Sequence, residues 1–129
     1  MARMTKKYNI DKFSKAALEA CRNLHKAGWR IRTHSFGSRI TKECCALTAL
    51  ALEGGAQINH DLTAGVSNHP NGQKVFVWVS KMTGWSIPDL DQFARGFDLR
   101  GQKGTNDNAY MAGLNLRKQL IREEILVEV

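Results

Sequence analysis

The 129-residue chain predicts a mostly α-helical domain: a compact bundle of four to five helices, with room for one short strand pair. Three observations carry that expectation. Apolar residues recur at helical spacing in several segments, polar N-cap residues precede most of these runs, and glycines follow them. The length fits one domain spanning 1–129, long enough to hold its own core, with residues 1–9 read as a flexible basic N-terminal tail.

The first helix is expected over Ile10–Ala27, capped by Asp11 and stopped at Gly28, with Phe13, Ala17, Leu18, Cys21 and Leu24 on its inner stripe. Lys12, Lys15, Arg22 and Lys26 fall mostly off that stripe and would make an exposed basic face. Trp29, Ile31 and Thr33 alternate as a short strand would, although an ordered loop fits the stretch as well. Thr41 reads as the N-cap of a second helix, Lys42–Glu53, whose body Cys-Cys-Ala-Leu-Thr-Ala-Leu-Ala-Leu is apolar nearly all round and therefore buried on most sides.

Residues 56–74 are dense in turn formers, Asn-His-Pro-Asn-Gly above all, and leave space for a helical turn near Asn59 or Asp61. Val75–Val79 has strand composition, but the residues on to Thr83 continue as a helix would, which favours helix over strand. Ser86, Pro88 and Asp89 make the clearest helix start in the chain, with Ile87, Leu90, Phe93, Ala94 and Phe97 facing inward. Asp98–Thr105 is a glycine-containing loop, and Asn106 or Asp107 caps a last helix to about Leu126. Phe93–Gly96 and Tyr110–Gly113 echo one another, each an aromatic three residues before a mid-helix glycine. Such glycines cost about 1 kcal/mol against alanine, so close backbone packing is the expected compensation.

Charge carries the functional reading. Residues 1–42 hold eleven Lys/Arg against two acids, net +9, whereas residues 43–129 hold eight against ten, net −2; the whole chain is +7. A bias this clustered points to an interaction surface in the first third, and phosphates are the natural partner of clustered Lys and Arg. The competing reading is a solvated face that only aids solubility.

Arg30, Arg32, His34, Ser35, Ser38, Arg39 and Lys42 converge on a helix start, with Trp29 and Phe36 interleaved as candidate stacking residues. Lys15, Arg22 and Lys26 of the first helix complete the expected nucleic-acid or anion-binding set. Burial in the core is the alternative fate of either aromatic. The reading is a small, basic, non-catalytic protein that contacts the backbone of DNA or RNA. Its rival is a protein-binding regulator or inhibitor, of which phage-encoded inhibitors are one kind, docking a basic face on an acidic protein surface.

Other chemistries find less support. Val75–Phe97 has the spacing of a helix-turn-helix at Ser80, Gly84 and Leu90, but Asp89 and Asp91 would stand where bases are read and would repel phosphates. Cys21, Cys44 and Cys45 lack the paired spacing of structural zinc sites, so no metal or other cofactor is expected, and buried structural cysteines are the simpler reading. A thiol enzyme using Cys44 beside a helix N-terminus is the minor alternative. No phosphate-binding glycine motif is present. An odd cysteine count and no apolar leader at the N-terminus fit a reducing, cytoplasmic setting. The longest mostly apolar run, Cys44–Leu52, is too short to span a bilayer, so no membrane partner is expected.

Overall fold

A computed structural model describes residues 7–34, 37–38, 40–55, 74–101 and 107–126. Asn9 starts the first helix by accepting the Lys12 N–H on its side chain at 2.8 Å, and α1 runs Ile10–Lys26. The cap lies two residues ahead of the expected Asp11, which instead adds charge to the first turn, where the helix dipole favours an acid. Beyond α1 come β1 (Arg30–Ile31), β2 (Gly37–Ser38), β3 (Glu43–Cys44), α2 (Ala46–Glu53), α3 (Lys74–Thr83), α4 (Ile87–Phe97) and α5 (Asp107–Arg122). The chain is thus mostly helical, as its periodicity predicts.

The expected strand pair is a small three-stranded sheet in the order β1-β3-β2, with β3 parallel to β1 and antiparallel to β2. Glu43 and Cys44, read from sequence as the start of the second helix, belong to its central strand. α2 therefore begins four residues late, at Ala46, with Cys45 rather than Thr41 in the N-cap position. Sheet pairing overrides local helix propensity here because both edges of β3 find backbone partners. Gly37 permits the pairing: its φ is 105°, and a Cβ there would stand 1.8 Å from the Glu43 carbonyl oxygen.

The core lies where α1, α2, α4 and α5 meet. Phe13 stacks on Trp85 with ring centroids 3.9 Å apart and meets Phe93 edge-on at 5.0 Å. α2 is buried from Ala46 to Ala51, as its all-round apolar surface requires. The most extensive helix pair is α4 on α5. Ile87, expected to face inward, is 37% exposed; it occupies the first position of α4, and the buried stripe begins one turn later at Leu90.

α5 stops at Arg122, short of the expected Leu126. Glu124 enters the left-handed region at φ 59°, and the Ile125 N–H returns to the Leu120 carbonyl at 2.9 Å, a helix-terminating turn built without glycine. Leu126 can then pair beside Ile31 at the sheet.

Residues 7–9, read as the end of a tail, are held in place. Tyr8 donates its backbone N–H to the Thr83 carbonyl at 2.7 Å, and Trp85 Nε1 donates to the Tyr8 carbonyl at 2.8 Å. The helical turn considered near Asn59 or Asp61 lies outside the described residues, as does Asn106. No helix is long and apolar enough to cross a membrane among the described residues.

Candidate nucleic-acid interface

The sheet has two faces, set by the strand period of two. Ile31, Gly37 and Cys44 turn into the protein, and Arg30, Ser38 and Glu43 turn outward. Arg30 lies in register with Glu43, and Ser38 with the same residue from the other side. Arg30 is exposed, and its backbone N–H donates to the Lys42 carbonyl at 2.8 Å. Lys42, also exposed, takes a left-handed φ of 56°. Lys26 is exposed at the end of α1, four residues before Arg30 across the tight turn at Gly28. Lys26, Arg30 and Lys42 thus belong to one basic corner of the molecule.

Glu43 was not among the expected site residues, yet it sits in the middle of the outward face. Arg32 Nη1 donates to its Oε2 at 2.9 Å. A hydrogen bond from the Thr41 side chain, then the charges of Arg32 and Arg30, hold its carboxyl below the ordinary carboxylate range despite partial desolvation. One carboxylate therefore balances part of the charge that the sequence counts as free. The acid is hard to see in sequence, where Lys-Glu-Cys-Cys reads as a helix beginning rather than as a strand facing Arg30.

The remaining expected residues disperse. Arg22 is turned toward α5: Nε and Nη2 reach Glu123 at 2.8 and 2.6 Å, and Nη1 reaches Glu19 at 3.1 Å. Its guanidinium is engaged by two carboxylates, which leaves fewer of its donors for a phosphate. The partner is 101 positions away in sequence, beyond any local pattern. Lys15 is exposed and lines a groove of about 490 Å³ between α1 and α5 together with Arg122. The eleven positions from Lys15 to Lys26 span about 16 Å of helix at 1.5 Å per residue, so α1 adds only Lys26 to the basic corner.

Trp29 is half-buried and packs against the core. Ser38 Oγ accepts the Ile40 N–H at 3.1 Å. His34 is exposed, at a φ of 64°. Its N–H donates to Asp98 Oδ1 at 2.9 Å, and its Nδ1 lies 2.9 Å from Thr33 Oγ1. Ser35, Phe36 and Arg39 lie outside the described residues.

The three cysteines are free thiols buried in the core. Burial raises all three, and Asp98 adds to the rise at Cys45. Cys44 ends β3, one residue ahead of the Cys45 N-cap of α2, and there burial raises its thiol instead of the lowering expected from a helix dipole. Among the described residues no three His, Cys, Asp or Glu side chains are grouped to hold a metal ion. No protein-family model matches the chain, nor does any curated protein or any solved structure.

Proposed function

We propose that the protein binds the phosphate backbone of nucleic acid through the basic corner formed by Lys26, Arg30 and Lys42, with little base discrimination. The supporting observation is the joining of Arg30 to Lys42 across β1 and β3, beside the end of α1. It joins two segments of the strongly basic first third, with exposed Lys26 four residues before Arg30. Lys and Arg so placed release condensed counterions from a polyanion, and the affinity then falls steeply with salt. With Trp29 packed on the core, the reading leans on phosphate contacts rather than on base stacking.

The test is fluorescence anisotropy of labelled single- and double-stranded oligonucleotides across a salt series, for the wild-type chain and for Lys26→Glu/Arg30→Glu/Lys42→Glu. Each lost phosphate contact should lower the slope of log affinity against log salt by about 0.7 to 0.9. Unchanged affinity and slope in the triple variant would sink the reading.

One feature favours a protein partner as the second reading. Ile40 is 77% exposed in the turn that carries Lys42, and a large apolar side chain beside cations suits an acidic protein surface with an apolar pocket. That reading expects Ile40→Ser to weaken capture of such a partner and to leave oligonucleotide binding unchanged.

A further inference from the structure

A cavity of about 410 Å³, lined in part by the hydrogen-bonded His34 and Asp98, lies between the start of α2, the first turn of α3 and one side of α4. Its size falls in the range of small-ligand sites. Leu47, Phe93 and Phe97, all buried, and half-buried Phe76 give it an apolar lining. Two acid–base pairs supply its charged groups. Asp91 and Arg95 satisfy one another at 2.9 Å along α4.

Asp98 is different. Its side chain is 12% exposed; Oδ1 accepts the His34 backbone N–H, whereas among the described residues Oδ2 has only Arg100 Nε at 3.7 Å, longer than a hydrogen bond. An ionised carboxylate can accept about four hydrogen bonds, and one so withdrawn from water gains by finding another donor. Arg100, 53% exposed on the same cavity, offers the donors of its guanidinium nitrogens.

We propose that this cavity binds a free α-amino acid with an aromatic or branched aliphatic side chain. Its ammonium group donates to Asp98 Oδ2, its carboxylate accepts from the Arg100 guanidinium, and its side chain lies against Phe76 and Phe97. With Asp91 and Arg95 paired, a bare cation on Asp98 would leave Arg100 without an anion, and a bare anion on Arg100 would leave Asp98 without a cation, so a dipolar head suits the near-neutral set better than either. The proposal is independent of nucleic-acid binding and survives the failure of that reading.

Isothermal titration calorimetry of the whole chain with L-phenylalanine and L-leucine tests it, with N-acetyl-L-phenylalanine amide as the probe lacking both charges. The expected result is saturable binding of a free amino acid, weakened at least about tenfold by Asp98→Asn, for loss of one charge-assisted hydrogen bond. Ala94→Phe, which fills the cavity wall and leaves Asp98 in place, should weaken it comparably and decides the matter if Asp98→Asn does not fold by circular dichroism. No saturation up to about 10 mM, an affinity far below that of ordinary small-ligand sites, would overturn the proposal. Equal affinity for the blocked probe, or wild-type affinity in the folded variants, would overturn it too.

Discussion

Gly96 on α4 and Gly113 on α5 are reciprocal partners. A Cβ on Gly96 would stand 2.0 Å from the Tyr110 carbonyl oxygen, and one on Gly113 would stand 2.0 Å from that of Phe93. Each glycine thus meets the backbone three residues before the other, which accounts for the repeated aromatic-to-glycine spacing. The two helices approach backbone to backbone, and Arg117, buried on α5, adds a hydrogen bond from Nη1 to the Phe97 carbonyl at 3.0 Å.

Gly96→Ala and Gly113→Ala should therefore each destabilise the protein, although alanine is the better helix former by about 1 kcal/mol. Overpacking against backbone costs roughly 3 kcal/mol, so a net loss of about 2 kcal/mol is expected for each in urea unfolding. The double variant should lose less than the sum, because one separation of the helices relieves both contacts. Two neutral single variants would contradict the geometry.

A second prediction concerns Glu123. The Arg22 guanidinium, with help from Gln119, holds its carboxyl down to about 2 from an ordinary 4.5. A depressed carboxyl stabilises the fold only while ionised. Its contribution should be complete above about pH 4.5 and disappear as the pH falls toward 2. Denaturant midpoints between pH 6 and pH 2.5 should consequently fall less in Glu123→Gln than in the wild type. Parallel falls would show that the pair carries no pH-dependent stability.

Leu99 offers the opposite kind of test. It follows α4 at φ 58° and is 55% exposed, while the Arg100 N–H closes the turn on the Arg95 carbonyl at 2.8 Å. The left-handed conformation costs a side-chain-bearing residue roughly 1–2 kcal/mol, more than the entropy glycine brings to the unfolded chain. Leu99→Gly is expected to raise the melting temperature by a few degrees, about 0.5–1 kcal/mol in stability. A lower melting temperature would mean that the exposed leucine contributes packing worth more than the strain.

Within the basic corner, Glu43 gives a prediction of opposite sign to the usual charge variant. Glu43→Gln removes the carboxylate beside Arg30 and Arg32 and keeps a side chain of similar size. Oligonucleotide binding by this face should tighten, with a steeper salt slope, since one more cation becomes available to phosphate. Weaker binding would indicate that the Arg32–Glu43 pair shapes the surface more than it neutralises it.

Cys21 and Cys44 are fully buried, with thiols raised by desolvation. Both should resist an aromatic disulfide reagent in the native protein and react at the rate of unfolding. Cys44→Ser should cost about 1–3 kcal/mol, for a hydroxyl placed in an apolar site. Rapid native labelling of Cys44 would support the thiol-enzyme reading.

Local chemistry alone determined most of the helices. The Ser86–Pro88–Asp89 start of α4, the glycine stop after α1 and the all-round apolar body of α2 need no distant partner, because caps and periodicity act within one or two turns. The glycine echo on α4 and α5 was legible for the same reason, and its explanation by close packing holds.

Contacts between remote segments decided the rest. Glu43 and Cys44 became a strand because β1 and β2 offered backbone partners, and α5 stopped early as Leu126 reached Ile31. Arg22 was claimed by a carboxylate 101 residues away, and Asp98 was brought to His34. A count of charges records how many cations a segment carries. Only the folded chain settles which of them already hold an acid, because ion pairing depends on distance in space and not on separation in sequence.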